Sequence, residues 1–521
     1  MANQAGAPHS QISPWIVAIT VMSSTFMEIL DTTVVNVSLP HIAGNLSATV
    51  DESTWVLTSY LVANAIILPL TGWLANYFGR KRFLMAAVAG FTGASFLCGL
   101  APNLQMLIFF RLLQGASGGA LQPLSQAILL EAFPPQDRGK AMGFWGLGVV
   151  TAPILGPVLG GWLTDNYSWR WVFYINLPVG LLSILMTRLF IFDPAYIRRS
   201  SARIDYWGIG LLAVWIGTLQ VILDKGQEED WFASNFITTL SLISAVAFIL
   251  FLIYEIRVRI PVVNLRIFKV RTYSAGVFLM TMLGFVLYGS LVLLPLFLQT
   301  LLGYPSLQAG IAMAPRGFGS FLAMPIIGII TSKFDPRKLL GIGLVTGSGT
   351  LFWLSRLNLN AGYWDIFWPQ FIQGISFGLL FVPLTTITMD PIPKEQIGNA
   401  ASIFNLMRNL GGSIGIAAAT TILARREQMY INLLGGHVNP YNPQSQMMMQ
   451  EIQGRIASNG SDLFTAERQA LGVLFNMVQR QASMLSFNEM FSLMAIIFLA
   501  VIPFLLLMRR PKAPRGAVAA H

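Results

Sequence analysis

Arg111-Leu-Leu-Gln114-Gly115-Ala-Ser-Gly118-Gly119 is answered 259 residues later by Gln370-Phe-Ile-Gln373-Gly374-Ile-Ser-Phe377-Gly378. A glutamine and two glycines recur at the same places inside two long apolar runs. At the same offset Pro134, Gly139 and Ala141 are matched by Pro393, Gly398 and Ala400. Pro69 and Gly72 are matched by Pro325 and Gly328 at an offset of 256. One such match is easily accidental, but several at nearly one offset mark a duplicated unit.

The composition says where the unit lives. Of 521 residues, 54% are hydrophobic and 11% charged, against about 25% charged in a soluble chain, and the mean hydropathy is +0.62. There is too little polar surface for a soluble multidomain enzyme, a coiled coil or a disordered chain. The apolar runs are about 20 residues long, enough to cross a ~30 Å hydrocarbon core as helices. They predict an all-α integral membrane protein of about fourteen spans, at 14–38, 55–76, 83–102, 106–131, 141–163, 171–192, 206–224, 234–256, 273–300, 307–332, 339–357, 366–388, 398–424 and 485–508.

The repeat divides these spans 6 + 2 + 6: a bundle over 1–200, an inserted hairpin over 201–265 and a second bundle over 266–521. Lys and Arg cluster in every second loop. Arg80, Lys81 and Arg82, then Arg138 and Lys140, then Arg198, Arg199 and Arg203, Arg257 to Arg271, Lys333 to Lys338, and the tail Arg509, Arg510, Lys512 and Arg515 lie on one side. The other side is poor in them, and its Lys225 stands beside Glu228, Glu229 and Asp230. Positive loops face the cytoplasm, so both termini are expected there. The net charge of +10 and the isoelectric point near 9.8 follow from these loops and do not indicate nucleic acid. The first run has no basic residue before it and is expected to be a retained span, not a cleaved signal. Cys98 is expected to be packing, and His9, His41, His437 and His521 fall outside the spans, so no disulfide, metal or haem site is expected.

Four motifs carry a more specific resemblance. Gly72-Trp-Leu-Ala-Asn76-Tyr-Phe-Gly79-Arg80-Lys81-Arg82 is similar to the cytoplasmic loop signature of the major facilitator superfamily, although Asn76 stands where an acid is usual. Arg111-x-x-Gln114-Gly115 resembles its span 4 signature, and Gly156-Pro157-x-x-Gly160-Gly161 its antiporter signature. Leu30-Asp31-Thr-Thr-Val-Val-Asn36-Val-Ser-Leu-Pro40 resembles the motif of its fourteen-span drug:proton antiporters. Within them the chain is most similar to the EmrB-like multidrug efflux subunits. The resemblance implies a major facilitator fold and proton-driven efflux of hydrophobic drugs across the bacterial inner membrane. It also implies a periplasmic adaptor of EmrA type and a TolC-like outer-membrane channel as partners. The energy source would be the proton gradient, without a cofactor. The alternative is a proton-coupled exporter or importer of a specific endogenous metabolite on the same fold.

Asp31 stands out on physical grounds, because a carboxylate in mid-span costs about 2.5–3.5 kcal/mol on insertion scales. Glu28 lies one turn earlier on the same helix face, so the two could relay a proton. Arg111 is the expected cationic partner, its proton-coupling role being implied by the resemblance, and snorkelling to the outer interface is the bland alternative. Arg316 and Arg408 are further intramembrane cations, read with Gly72, Gly79, Arg80, Gly156, Pro157, Gly160 and Gly161 as gating or conformational residues. Small residues four apart let helices approach closely. Tyr60, Asn64, Gln114, Tyr288, Gln370, Phe371 and Gln373 are candidate substrate contacts.

Other classes fit less well. A membrane enzyme or sensor would show a cluster of His, Cys or carboxylates. In an ATP-driven pump the Gly139-Lys140 pair would need an upstream glycine and a following Ser or Thr. One segment remains, about 425–486 on the non-cytoplasmic side, polar and rich in Gln, Asn and Met, with a helical stretch expected near 466–485. A long insertion of this kind is usually functional, and an adaptor surface is the simplest expectation.

Overall fold

The computed structural model describes residues 13–193, 205–258, 261–439 and 441–508. The termini lie outside these residues. So do the basic residues Arg198, Arg199, Arg203, Arg259, Arg509, Arg510, Lys512 and Arg515, the histidines His9 and His521, and the expected boundary at 200/201. Within the described residues the chain is helical, with no strand.

The first bundle runs α1 (Pro14–Asn45), α2 (Val50–Phe78), α3 (Arg80–Leu100), α4 (Leu104–Gly118), α5 (Leu121–Ala132), α6 (Arg138–Asn166), α7 (Trp171–Tyr174) and α8 (Asn176–Phe190). The hairpin is α9 (Tyr206–Lys225) and α10 (Asn235–Arg257). The second bundle runs α11 (Arg271–Thr300), α12 (Ser306–Thr331), α13 (Pro336–Leu354), α14 (Tyr363–Met389), α15 (Ile397–Gly435), α16 (Pro443–Ser458) and α17 (Leu463–Ala500).

Among the described residues, eleven helices are long and apolar enough to cross a membrane, α7 and α8 counting together. Three expected spans fall on other helices: α13, the long α15, and the α4–α5 pair. The break between α4 and α5 has a local cause. Gly118 and Gly119 weaken the helix, and Pro123 has no N–H for the carbonyl of Gly119 four residues back.

The two bundles repeat one pairing. In the first, α1 packs on α6, α2 on α4 and α3 on α8. In the second, α11 packs on α15, α12 on α14 and α13 on α17. Between them α2 lies on α15 and α6 on α12, and the α9–α10 hairpin rests on α2 through α9. Of the repeated glycines, Gly72, Gly139, Gly328 and Gly398 sit at these cross-bundle contacts. A Cβ on Gly72 would stand 2.6 Å from the Asn399 amide nitrogen. One on Gly328 would stand 2.7 Å from the carbonyl oxygen of Gly139, and one on Gly139 2.6 Å from that of Gly328. The motifs that repeat along the chain thus meet each other in space, backbone to backbone, at the end carrying the Arg80 and Arg138 loops.

The expected extra segment is not an open loop. Helix α15 runs on to Gly435, α16 follows and packs on α17, and α17 begins at Leu463, well before the expected span at 485–508. Asp462 caps α17, accepting from the backbone N–H of Phe464 at 3.2 Å and of Thr465 at 3.0 Å. The bonds from Thr465 hold its carboxyl below the usual carboxylate range.

Overpacking a close crossing costs about 1–3 kcal/mol. Gly72→Val should therefore loosen the α2–α15 contact. A cysteine replacing the buried Ala75, in a Cys98→Ser background, should react with a thiol reagent roughly 5- to 150-fold faster. An unchanged labelling rate would show that the crossing does not seal this end.

Candidate functional site

Asp31 lies inside the first bundle, fully buried, and the sequence around it supplies its partners at helical spacing. Arg111 and Gln114 share one face of α4, three residues apart. Gly115, one position on, lets α4 rest against the carbonyl of Tyr60 on α2. The Asp31 Oδ2 accepts from Arg111 Nη1 at 2.6 Å, and its Oδ1 accepts from Gln114 Nε2 at 2.9 Å and Asn176 Nδ2 at 2.7 Å. Arg111 also donates from Nη1 to Gln114 Oε1 at 2.7 Å and from Nε to the Val56 carbonyl at 3.1 Å. Its guanidinium stands 4.1 Å over the Tyr60 ring. Arg111 is fully buried, so it is a paired core cation and not an interface anchor. Cys98 reaches the same centre, its Sγ 3.6 Å from Gln114 Oε1.

Glu28, one turn away, has a separate shell. Its Oε1 accepts from Tyr60 Oη at 3.2 Å and Asn64 Nδ2 at 3.0 Å, and its Oε2 from Gln122 Nε2 at 2.6 Å. Tyr60 joins the two acids, its ring beneath Arg111 and its hydroxyl on Glu28. Gln122 of α5 accepts in turn from Arg408 Nη2 on α15. A turn further along α5, Gln126 accepts from Asn405 Nδ2 of α15 at 2.5 Å. Glu28 is therefore wired through one glutamine to a cation of the other bundle.

The structure sorts the remaining expected site residues. Tyr60, Asn64 and Gln114, read from the sequence as substrate contacts, are bonded to the two acids or to Arg111. Gln370, Gln373 and Arg316 gather in the second bundle: Arg316 Nε donates to Gln370 Oε1 at 2.7 Å, and Gln370 Nε2 to Gln373 Oε1 at 3.4 Å. Tyr288 is half-buried against Gly412. Phe371 stands in an aromatic row with Phe318, Phe367 and Trp368. Gly156 and Gly160 bring α6 onto α1 beside Asp31, where they meet Thr33 and the Val34 carbonyl, while Gly161 meets nothing closer than 4.0 Å. Pro157 lies inside α6. In the loop motif Arg80 pairs with Glu131 at the end of α5. Gly79, at φ +86°, leaves room for Asp193, which accepts from the Lys81 N–H at 2.8 Å. Two acids from elsewhere in the chain thus meet this loop, Glu131 at Arg80 and Asp193 at Lys81.

Asn176, Gln122, Ser95 and Glu131 escaped the sequence reading. Asn176 Nδ2 bridges Asp31 to Ser95 Oγ at 3.0 Å. Their only signal was polarity within or beside apolar runs, which does not say what a side chain faces.

Comparison with known proteins agrees with this architecture. Residues 21–416 match the Major Facilitator Superfamily. The chain is 40% identical to the fatty acid resistance protein FarB of Neisseria gonorrhoeae, covering 95% of this chain and 96% of that protein. It is 39% identical to the multidrug export protein EmrB of Escherichia coli strain K12, covering 97% and 98%. Among solved structures it resembles the human organic anion transporter MFSD10 with a TM-score of 0.59 at 13% identity, over 94% of this chain and 100% of that one. The proton:xylose symporter XylE gives a TM-score of 0.58 at 15% identity, over 94% and 96%.

Breaking a buried ion pair from one side leaves an uncompensated charge, at about 3–5 kcal/mol. Arg111→Gln should accordingly lower the melting temperature of the purified protein. Adding Asp31→Asn to it should restore part of the loss, because the stranded carboxylate is gone. A double variant that melts lower still would show that the pair is not the coupled unit described.

Proposed function

The chain belongs to the Major Facilitator Superfamily, and we propose that it is a drug:proton antiporter that exports lipophilic compounds across a bacterial inner membrane by alternating access. The proposal places six spans in each bundle, two in the hairpin, and both termini in the cytoplasm. It assigns 1–200, 201–265 and 266–521 to the three parts. The multi-pass helical fold and relatives named for multidrug export and fatty acid resistance support transport of lipophilic cargo.

One observation carries proton coupling: the fully buried Asp31–Arg111 pair at 2.6 Å. Arg111 stays charged throughout, so the carboxylate is the member that can gain and lose a proton. When it is charged, three donors, one of them a cation, hold α1, α4 and α8 together. When it is protonated, the Coulombic part of that hold is gone. Glu28 extends the effect. Its charge favours the Gln122 bridge to Arg408, so its protonation would weaken the tie between the bundles near their middle, and the backbone contacts at the Arg80 end could then part.

Asp31→Asn keeps size and hydrogen bonding but cannot ionise. In proteoliposomes under an imposed pH gradient, it should reduce efflux of a lipophilic dye to the leak rate of protein-free vesicles, while the protein still inserts. Wild-type rates in this variant would remove Asp31 from coupling.

The same proposal gives the extra helices a partner, a periplasmic adaptor of EmrA type leading to a TolC-like channel. In the extension of α15, α16 and the first half of α17, large apolar side chains stay exposed, among them Leu471, Phe475 and Met447. Arg426 of α15 is tied to Glu489 of α17 at 3.0 Å, which braces the platform. Replacing Leu471 and Phe475 together by Asp should abolish co-purification with the adaptor and resistance in cells, yet leave dye efflux in proteoliposomes intact. Unchanged co-purification would remove the docking role.

A further inference from the structure

The repeat superimposes the polar centres of the two bundles, and their charges differ. Gly115 rests under the carbonyl of Tyr60, and Gly374, 259 residues on, rests under the carbonyl of Arg316. The register that equates Gly72 with Gly328 therefore puts Arg316 where the first bundle has Tyr60. The 259-residue offset puts Gln370 where it has Arg111 and Gln373 where it has Gln114, and Ser290 of α11 lies beside them. The contacts respect this register. Arg316 donates from Nη1 to Ser290 Oγ at 3.3 Å and from Nε to Gln370 Oε1.

The first centre balances a guanidinium with a carboxylate. The second holds a guanidinium alone. Arg316 is 1% exposed, and among the described residues no ion pair includes it. Arg111 also leaves its Nη2 without an acceptor, but Asp31 meets its charge, and Arg408 reaches Glu28 through Gln122. Arg316 has an amide oxygen and a hydroxyl, which are dipoles and not charges. Guanidinium cannot shed its proton, and an unpaired buried charge is among the least favourable features a membrane bundle can carry. Two groups here lack acceptors, Arg316 Nη2 and Gln373 Nε2. Both are donors, so what is missing is an acceptor with negative charge. The ring of Phe377, 5.8 Å from the guanidinium, adds an apolar wall.

We propose that Arg316, Ser290, Gln370 and Gln373 form a binding site for the carboxylate of an amphiphilic acid, whose tail lies along the surrounding aromatic and aliphatic side chains. One carboxylate oxygen takes Arg316 Nη2 and the other displaces the long Ser290 contact, giving the forked pairing that guanidinium favours. The role as a cargo site rests on the export proposed above, whereas binding itself does not. A phosphate headgroup of an anionic lipid presents similar oxygens, so the test separates the two sources.

The full-length protein in phosphatidylcholine nanodiscs is titrated with dodecanoate and, as the uncharged counterpart, dodecanol. Wild-type protein should prefer dodecanoate, and Arg316→Gln should reduce that preference roughly tenfold. Ser290→Asp keeps the guanidinium and supplies an internal carboxylate within reach of it. It should abolish the preference too, and it decides the matter if the Arg316 variant does not fold. An unchanged preference in the folded variants overturns the proposal. So does Arg316-dependent binding shown by phosphatidylglycerol discs but not by dodecanoate. Arg316-dependent dodecanoate binding in a protein with no pH-driven efflux would leave this site standing and remove the export role instead.

Discussion

A carboxylate and a guanidinium held 2.6 Å apart beyond the reach of solvent set the terms for the first bundle. Either group buried alone would carry a large desolvation cost, and the pair is tolerated because α1, α2, α4 and α8 all contribute to it. Helix α1 brings the acid, α4 the cation and Gln114, α8 brings Asn176, and α2 brings the Val56 carbonyl and the Tyr60 ring. The glycines follow from that demand. Gly115, Gly156 and Gly160 remove the side chains that would hold these helices apart, and without that approach the short charge-assisted bonds could not form.

Two kinds of contact join the bundles, and they differ in what can break them. At the Arg80 end the joint is steric, glycine against backbone at Gly72 and again at Gly139 and Gly328. In the middle it is electrostatic, from Glu28 through Gln122 to Arg408. A steric contact is indifferent to protonation. The electrostatic one is not, since Gln122 can present its amide N–H to Glu28 and its carbonyl to Arg408 at once only while Glu28 accepts. In the proposed cycle the middle contact responds to the proton and the outer one follows.

The two-bundle plan was legible because it rests on exact recurrences, glycines and prolines whose spacing survives whatever fills the rest of a span. Asp31 and Arg111 were legible for the opposite reason, as expensive residues in an apolar run. What did not show was direction. Tyr60, Asn64 and Gln114 looked like cavity polars, and only the close passage of α2, α4 and α1 turns them onto the acids. Gln122 and Asn176 were unremarkable alone, since a neutral amide in a span costs far less than a charge and signals little. The segment from about 425 was legible only in part. Its polar composition pointed to a helix near 466–485 alone, yet end-to-end helices satisfy their own backbone and need few buried residues; among the described residues α16 buries none of its side chains.

Duplication explains why the chain carries unlike charges on like frames. Two copies of one bundle begin with the same helix crossings, so Gly115 and Gly374 still cradle the carbonyls of residues 60 and 316. If both kept a carboxylate–guanidinium pair, each centre would be neutral and closed to outside ions, and both would answer to the proton alike. Placing the acid in one copy and leaving Arg316 without one in the other separates the tasks. In the proposed cycle the first centre takes up the proton because its carboxylate is internal, and the second takes an anion because its carboxylate must come from outside. A charged cargo that supplies this missing partner would stabilise only the state in which the second bundle can receive it, which is the differential affinity that any ligand-driven change of conformation requires.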